Sequence, residues 1–82
     1  MTGSPDMQIV DTIPKRCPFV LLALKKALKA ANVGQLLAVR TLDPQAIADI
    51  QAYCGAARQT FEGVVSAASE HVIYVRRSDA NV

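Results

Sequence analysis

The stretch KRCPFVLLALKKALKA, residues 15–30, reads as the entry and body of an amphipathic helix, and the rest of the fold can be built outward from it. Cys17 takes the N-cap and Pro18 the first helical position, where a missing N–H costs nothing and the ring's fixed φ suits the helix. Val20, Leu24, Ala27, Leu28 and Ala31 fall on one stripe that must face a core, while Leu22, Lys25, Lys26 and Lys29 recur at i, i+3, i+4 and i+7 on the other side. Asn32 and Gly34 stop the helix, glycine being the usual residue just past a helix end.

On the N-terminal side, Met7 to Asp11 (MQIVD) is a short strand after the polar leader 1–6, and Thr12 to Arg16, with Pro14, is a loop. On the other side Gln35 to Thr41 (QLLAVRT) is apolar and β-favouring. It leads into LDPQAIADIQAYCGAA, which repeats the same entry device with Asp43 as N-cap and Pro44 first. This second helix is expected to stop near Gly55. Gln59 to Ser66 and His71 to Arg77 then read as two strands joined by the polar turn Ala67 to Glu70. The order βαβαββ implies an α/β two-layer sandwich: a mixed four-stranded sheet with two helices on one face, where right-handed crossovers put them. One domain over 7–78 is expected, with a leader 1–6 and a tail 79–82.

Composition bounds what such a chain can do. Its 82 residues leave room for one core and one site, and a 51% hydrophobic content is enough to fold without metal or disulfide staples. A net charge of +2, with the basic residues spread along the chain, does not imply direct nucleic-acid contact. Phe19 to Leu24 is far too short an apolar run to span a bilayer, and no secretory signal is visible, so the expectation is a cytoplasmic protein. In that compartment the two cysteines are expected as thiols.

Helical spacing separates those thiols. On the second helix Ala46, Ile47, Ile50 and Cys54 form an apolar stripe that must face the sheet, which makes Cys54 a small core residue. Cys17 sits at a helix start, where unpaired N–H groups and the positive end of the helix dipole favour an anion and lower a thiol's pKa; neighbouring Lys15 and Arg16 act in the same direction. Phe19 and Leu22 are expected on the exposed side near Cys17. Ringed by Lys15, Arg16, Lys25 and Lys26, they form a candidate docking surface.

VDTIPKRCPFVLLALKKALK, then LLAVRTLDPQAIADIQAYC, then the closing VIYVRR resemble the TusA/SirA/YedF family of small sulfur-carrier proteins, over about Met7 to Arg77. The matching positions are Asp11 in the first strand, the Cys17-Pro18 pair, Lys25-Lys26, and Asp43-Pro44 with Asp49-Ile50. The resemblance implies the βαβαββ fold shared with the C-terminal domain of a bacterial translation initiation factor, and a persulfide carried on Cys17. Donors would be a cysteine desulfurase or a rhodanese, and acceptors proteins of tRNA thiolation, cofactor synthesis or sulfur oxidation. The chain departs from the family pattern at Ile13 to Arg16, where members usually carry Gly-Leu, at Val20, the second proline of the Cys-Pro-x-Pro motif, and at Gln59, about where many members carry histidine.

The resulting expectation is a sulfurtransferase-like carrier without cofactor or metal, acting as a monomer between a sulfur-donor and a sulfur-acceptor protein. The metal expectation rests on His71 being the only histidine, with no CxxC or HxxxH spacing. A rival of another class uses the same fold and basic helix as a non-catalytic module binding protein or RNA.

Overall fold

The computed structural model describes residues 7–13 and 19–80. The elements run β1 (Met7–Asp11), α1 (Phe19–Ala30), β2 (Leu36–Thr41), α2 (Gln45–Ala57), β3 (Thr60–Ala67) and β4 (Glu70–Arg76). This is the βαβαββ order expected from the sequence, in one mixed sheet of strand order β1-β2-β4-β3. β1 and β2 are parallel, as a helical crossover requires, and β4 inserts antiparallel between β2 and β3.

The two sides of the sheet follow from the register. Leu37, Val39, Ile73 and Val75 face the helices and meet Val20, Leu24 and Leu28 of α1 and Ala46, Ile50 and Cys54 of α2 in one fully buried cluster. Each large aliphatic there contributes about 1.5–3 kcal/mol of burial free energy. α1 packs on β1 and β2, and α2 on β3. On the opposite face Ile9 pairs in register with Ala38 and Ala38 with Tyr74, and Ile9 is 57% exposed there.

Local chemistry explains the element ends. α1 is followed by a turn in which Gly34 adopts φ +90, a conformation that a side chain opposes, and donates its N–H to the Arg77 carbonyl at 2.8 Å. At the start of α2, Pro44 already has helical dihedrals, φ −64 and ψ −22. Asp43 Oδ1 accepts from the Gln45 N–H at 3.0 Å and the Asp43 carbonyl from Ala46 at 3.1 Å, so the aspartate acts as the expected cap.

Several boundaries differ from the sequence expectation. α2 continues through Gly55 to Ala57, because Ala56 and Ala57 are strong helix formers and Gly55 is only one unfavourable step. Arg58 then takes the left-handed cap, φ 62 and ψ 31, and the Gln59 N–H bonds the Cys54 carbonyl at 3.0 Å. Gln59 therefore precedes β3 instead of opening it. The hairpin turn is tighter than four residues: Ala67 pairs with Glu70, leaving Ala68 and Ser69 as the loop, with Ala68 at φ 55. β4 accordingly begins at Glu70 and ends at Arg76. The expected Cys17 cap and Pro18 first turn, the loop residues Pro14 to Arg16 and the leader 1–6 lie outside the described residues.

Candidate functional site

β1 and β2 are parallel, so both end at the same side of the sheet, and each ends on an aspartate or leads into one. Asp11 Oδ1 accepts from the Ile13 N–H at 3.1 Å, as Asp43 Oδ1 does from Gln45. Both carboxylates thus bend the chain out of a strand by capturing the N–H two residues on. At Asp43 the chain enters α2 directly; at Asp11 it enters residues 14–18, which connect Ile13 to the first turn of α1.

The second Asp11 oxygen is tied to the sheet. Arg40, its partner in the β1–β2 register, donates from Nη1 to Asp11 Oδ2 at 3.3 Å and from Nε to Glu70 Oε2 at 2.7 Å. The hydrogen bond to Glu70, then the charges of Glu70 and Asp11, raise the Arg40 pKa. The same hydrogen bond lowers the Glu70 carboxyl below its ordinary range. The Thr12 N–H and hydroxyl both bond the Arg40 carbonyl, at 3.1 and 2.5 Å. The end of β1 is therefore held through Asp11 and Thr12, shortly before the residues 14–18 that include Cys17. Sequence reading singled out Asp11 but not Arg40 or Glu70, whose meeting depends on pairing across three strands.

Phe19 opens the described part of α1 and is 61% exposed; Leu22, one turn on, is 53% exposed. Lys26 is exposed as well. Lys25 behaves differently: its Nζ lies 5.3 Å from the centroid of the Tyr53 ring, so it reaches toward α2. Lys15, Arg16, Cys17 and Pro18, the remaining expected members of the site, lie outside the described residues.

The other thiol is closed off. Cys54 is 2% exposed within the core, and burial pushes its pKa up to about 11. It is protonated at neutral pH and shielded from solvent by the core around it. His71 is half-buried, with Nδ1 2.7 Å from Ser66 Oγ across the β3–β4 hairpin, a local tie between strands. Gln59, one of the departures from the family pattern, is buried and structural. Its amide donates to the carbonyls of Ala57 and Ala80, and its oxygen accepts from the Ser78 N–H at 2.8 Å, fastening the segment after β4 to the end of α2.

Among the described residues, no group of three or more His, Cys, Asp or Glu side chains is placed to hold a metal ion, and no helix is long and apolar enough to cross a membrane. The described residues offer an apolar and basic surface on α1 and an aspartate that holds the end of β1, on a fold in which Cys54 is buried. Among known families, the model of the one described as Sulfurtransferase TusA matches residues 8–77, from β1 to just past β4. The chain belongs to the TusA sulfurtransferase family.

Proposed function

We propose that this protein is a sulfur carrier that accepts a sulfane sulfur on Cys17 and passes it to a partner protein. The observation that carries the reading is the family match over residues 8–77, a span that includes the Cys17-Pro18 pair. It is supported by the closure of Cys54, which leaves Cys17 as the other of the chain's two thiols. The Cys17 thiolate attacks the outer sulfur of a donor persulfide; a new S–S bond forms on Cys17 and the donor leaves as a thiolate. An acceptor thiolate then attacks the outer sulfur of the Cys17 persulfide, and Cys17 leaves as a thiolate. Neither step needs an external oxidant or a cofactor, only a nucleophile, a leaving group of suitable pKa and transient docking.

The donor is a cysteine desulfurase or a rhodanese, and the acceptor a protein of tRNA thiolation, cofactor synthesis or sulfur oxidation, all in the cytoplasm. Phe19, Leu22 and Lys26 form the apolar and basic docking surface, with Lys15 and Arg16 contributing charge beside the thiol. Pro18 follows the thiol directly in the sequence, and Asp11 holds the end of β1 ahead of residues 14–18. Alkylation of the Cys54→Ser variant as a function of pH tests whether Cys17 is activated. A midpoint below about 8.5, the ordinary thiol value, is expected, and a midpoint at or above it contradicts the reading.

A further inference from the structure

Sulfur held as a persulfide leaves a thiol protein by one of two routes. In the first, a thiolate from outside the chain attacks the outer sulfur and takes it at an unchanged oxidation level. In the second, another thiolate of the same chain attacks the inner sulfur. An intramolecular disulfide forms, the outer sulfur departs as hydrosulfide, and the two electrons that reduce it come from the thiol pair. That route needs a resolving cysteine within reach, since the Cα atoms of a disulfide lie about 4.4–6.8 Å apart. Cys54 is the other cysteine of this chain.

The fold withholds Cys54 from such a role. β1 and β2 end at the same side of the sheet, and α1 and α2 both run back from that side, so the helices are parallel. Cys17 precedes Phe19, the first residue of α1, by two residues. Cys54 lies nine residues beyond Gln45, about 13.5 Å down α2 from its start. The Lys25–Tyr53 contact sets this part of α2 beside the second turn of α1. The Cys54 side chain is 2% exposed, in one cluster with Leu24, Leu28, Ile50 and Val75. Burial also keeps it protonated, with a pKa raised to about 11. Its carbonyl closes the helix by accepting from the Arg58 and Gln59 N–H groups, so freeing the thiol means opening the end of α2.

We infer that this chain passes sulfur on by redox-neutral transfer alone: Cys17 cycles between thiol and persulfide without an intramolecular disulfide, and hydrosulfide is not its product. The inference rests on the carrier reading above and adds where electrons enter the sequence of reactions. Sulfane sulfur must gain two electrons to become sulfide, and a single working thiol cannot supply them. The reaction that consumes the Cys17 persulfide is therefore a transpersulfidation to an external nucleophile. Where sulfur is finally used as sulfide, the second thiol and any disulfide-reducing step belong to a protein further along.

The test follows the fate of loaded sulfur. The chain is treated with inorganic polysulfide, desalted, and held without oxygen, acceptor or reductant. Cyanide, which attacks the outer sulfur and leaves as thiocyanate, should then recover all the sulfur loaded. Alkylation in denaturant followed by intact mass should show no chain lacking both alkyl groups, the mark of an internal disulfide. Hydrosulfide should appear no faster from the parent than from Cys54→Ser or Cys54→Ala. Because the first two readouts need only the parent chain, a folding defect in either variant does not remove the test. Hydrosulfide released in step with an internal disulfide, and lost when Cys54 is replaced, overturns the inference and leaves the carrier reading standing. A chain that takes up no sulfur refutes the carrier reading and the inference with it.

Discussion

The ammonium of Lys25 stands over the ring of Tyr53, 5.3 Å from its centroid, and so joins the two helices on the solvent side of the core. Two adjacent lysines of α1 therefore do different work. Lys25→Met, which keeps the aliphatic stem, should cost about 0.5–1 kcal/mol of stability, the range of a partly exposed cation–π contact. Lys26→Met should cost nothing measurable. In transfer assays Lys26→Glu should slow association, most at low salt, because an exposed rim charge acts through steering. Melting curves and association rates of the two variants check the division; equal stability losses would refute it.

Phe19 is 61% exposed, so its ring contributes little to folding. Phe19→Ala should lower stability by less than about 1 kcal/mol, against the roughly 3–5 kcal/mol of a core phenylalanine. Under the proposed carrier role it should nevertheless weaken transfer, because the partner loses an apolar anchor two residues along the chain from Cys17. Thermal melting together with transfer kinetics separates the two effects.

Gly55 lies inside α2, exposed, and a Cβ built on it meets nothing within 4 Å. Gly55→Ala should therefore stabilise the protein by up to about 1 kcal/mol, the difference in helix propensity. A destabilised variant in chemical denaturation would mean that the helix does not run through this position.

The Cys54 thiol has a pKa of about 11 against an ordinary 9.0, raised by burial. A folded-state pKa raised in this way means that the protonated thiol is favoured by folding. Its contribution is full below pH 9.0 and is lost as pH rises through 11. Denaturation of the parent chain and of Cys54→Ala across that window should show a steeper alkaline loss in the parent. Parallel curves would contradict the buried placement.

The elements whose hydrophobic period is unambiguous were legible in the sequence. The α1 stripe of Val20, Leu24 and Leu28, the MQIVD strand and the α2 stripe ending at Cys54 all appear where their spacing puts them. Punctuation was less reliable. Gly55 resembles a helix terminator, yet the left-handed position falls on Arg58, and the β3–β4 turn uses Ala68 at φ 55 where Asn-Gly or Asp-Gly would have announced it. What depends on strand register was not legible at all: Arg40 between Asp11 and Glu70 joins residues from three strands, and β4 between β2 and β3 follows from no local pattern. Lys25 was readable as an exposed helical position but not as a contact of Tyr53, since the orientation of α1 against α2 is a tertiary result.

The most direct measurement of the central claim is intact mass after incubation with a cysteine desulfurase and cysteine. The parent chain and Cys54→Ser should each gain the mass of added sulfur, removable by reductant, and Cys17→Ser should gain none. Equal gain by Cys17→Ser and Cys54→Ser, or no gain by the parent chain, would contradict the assignment of Cys17 as the sulfur-carrying residue.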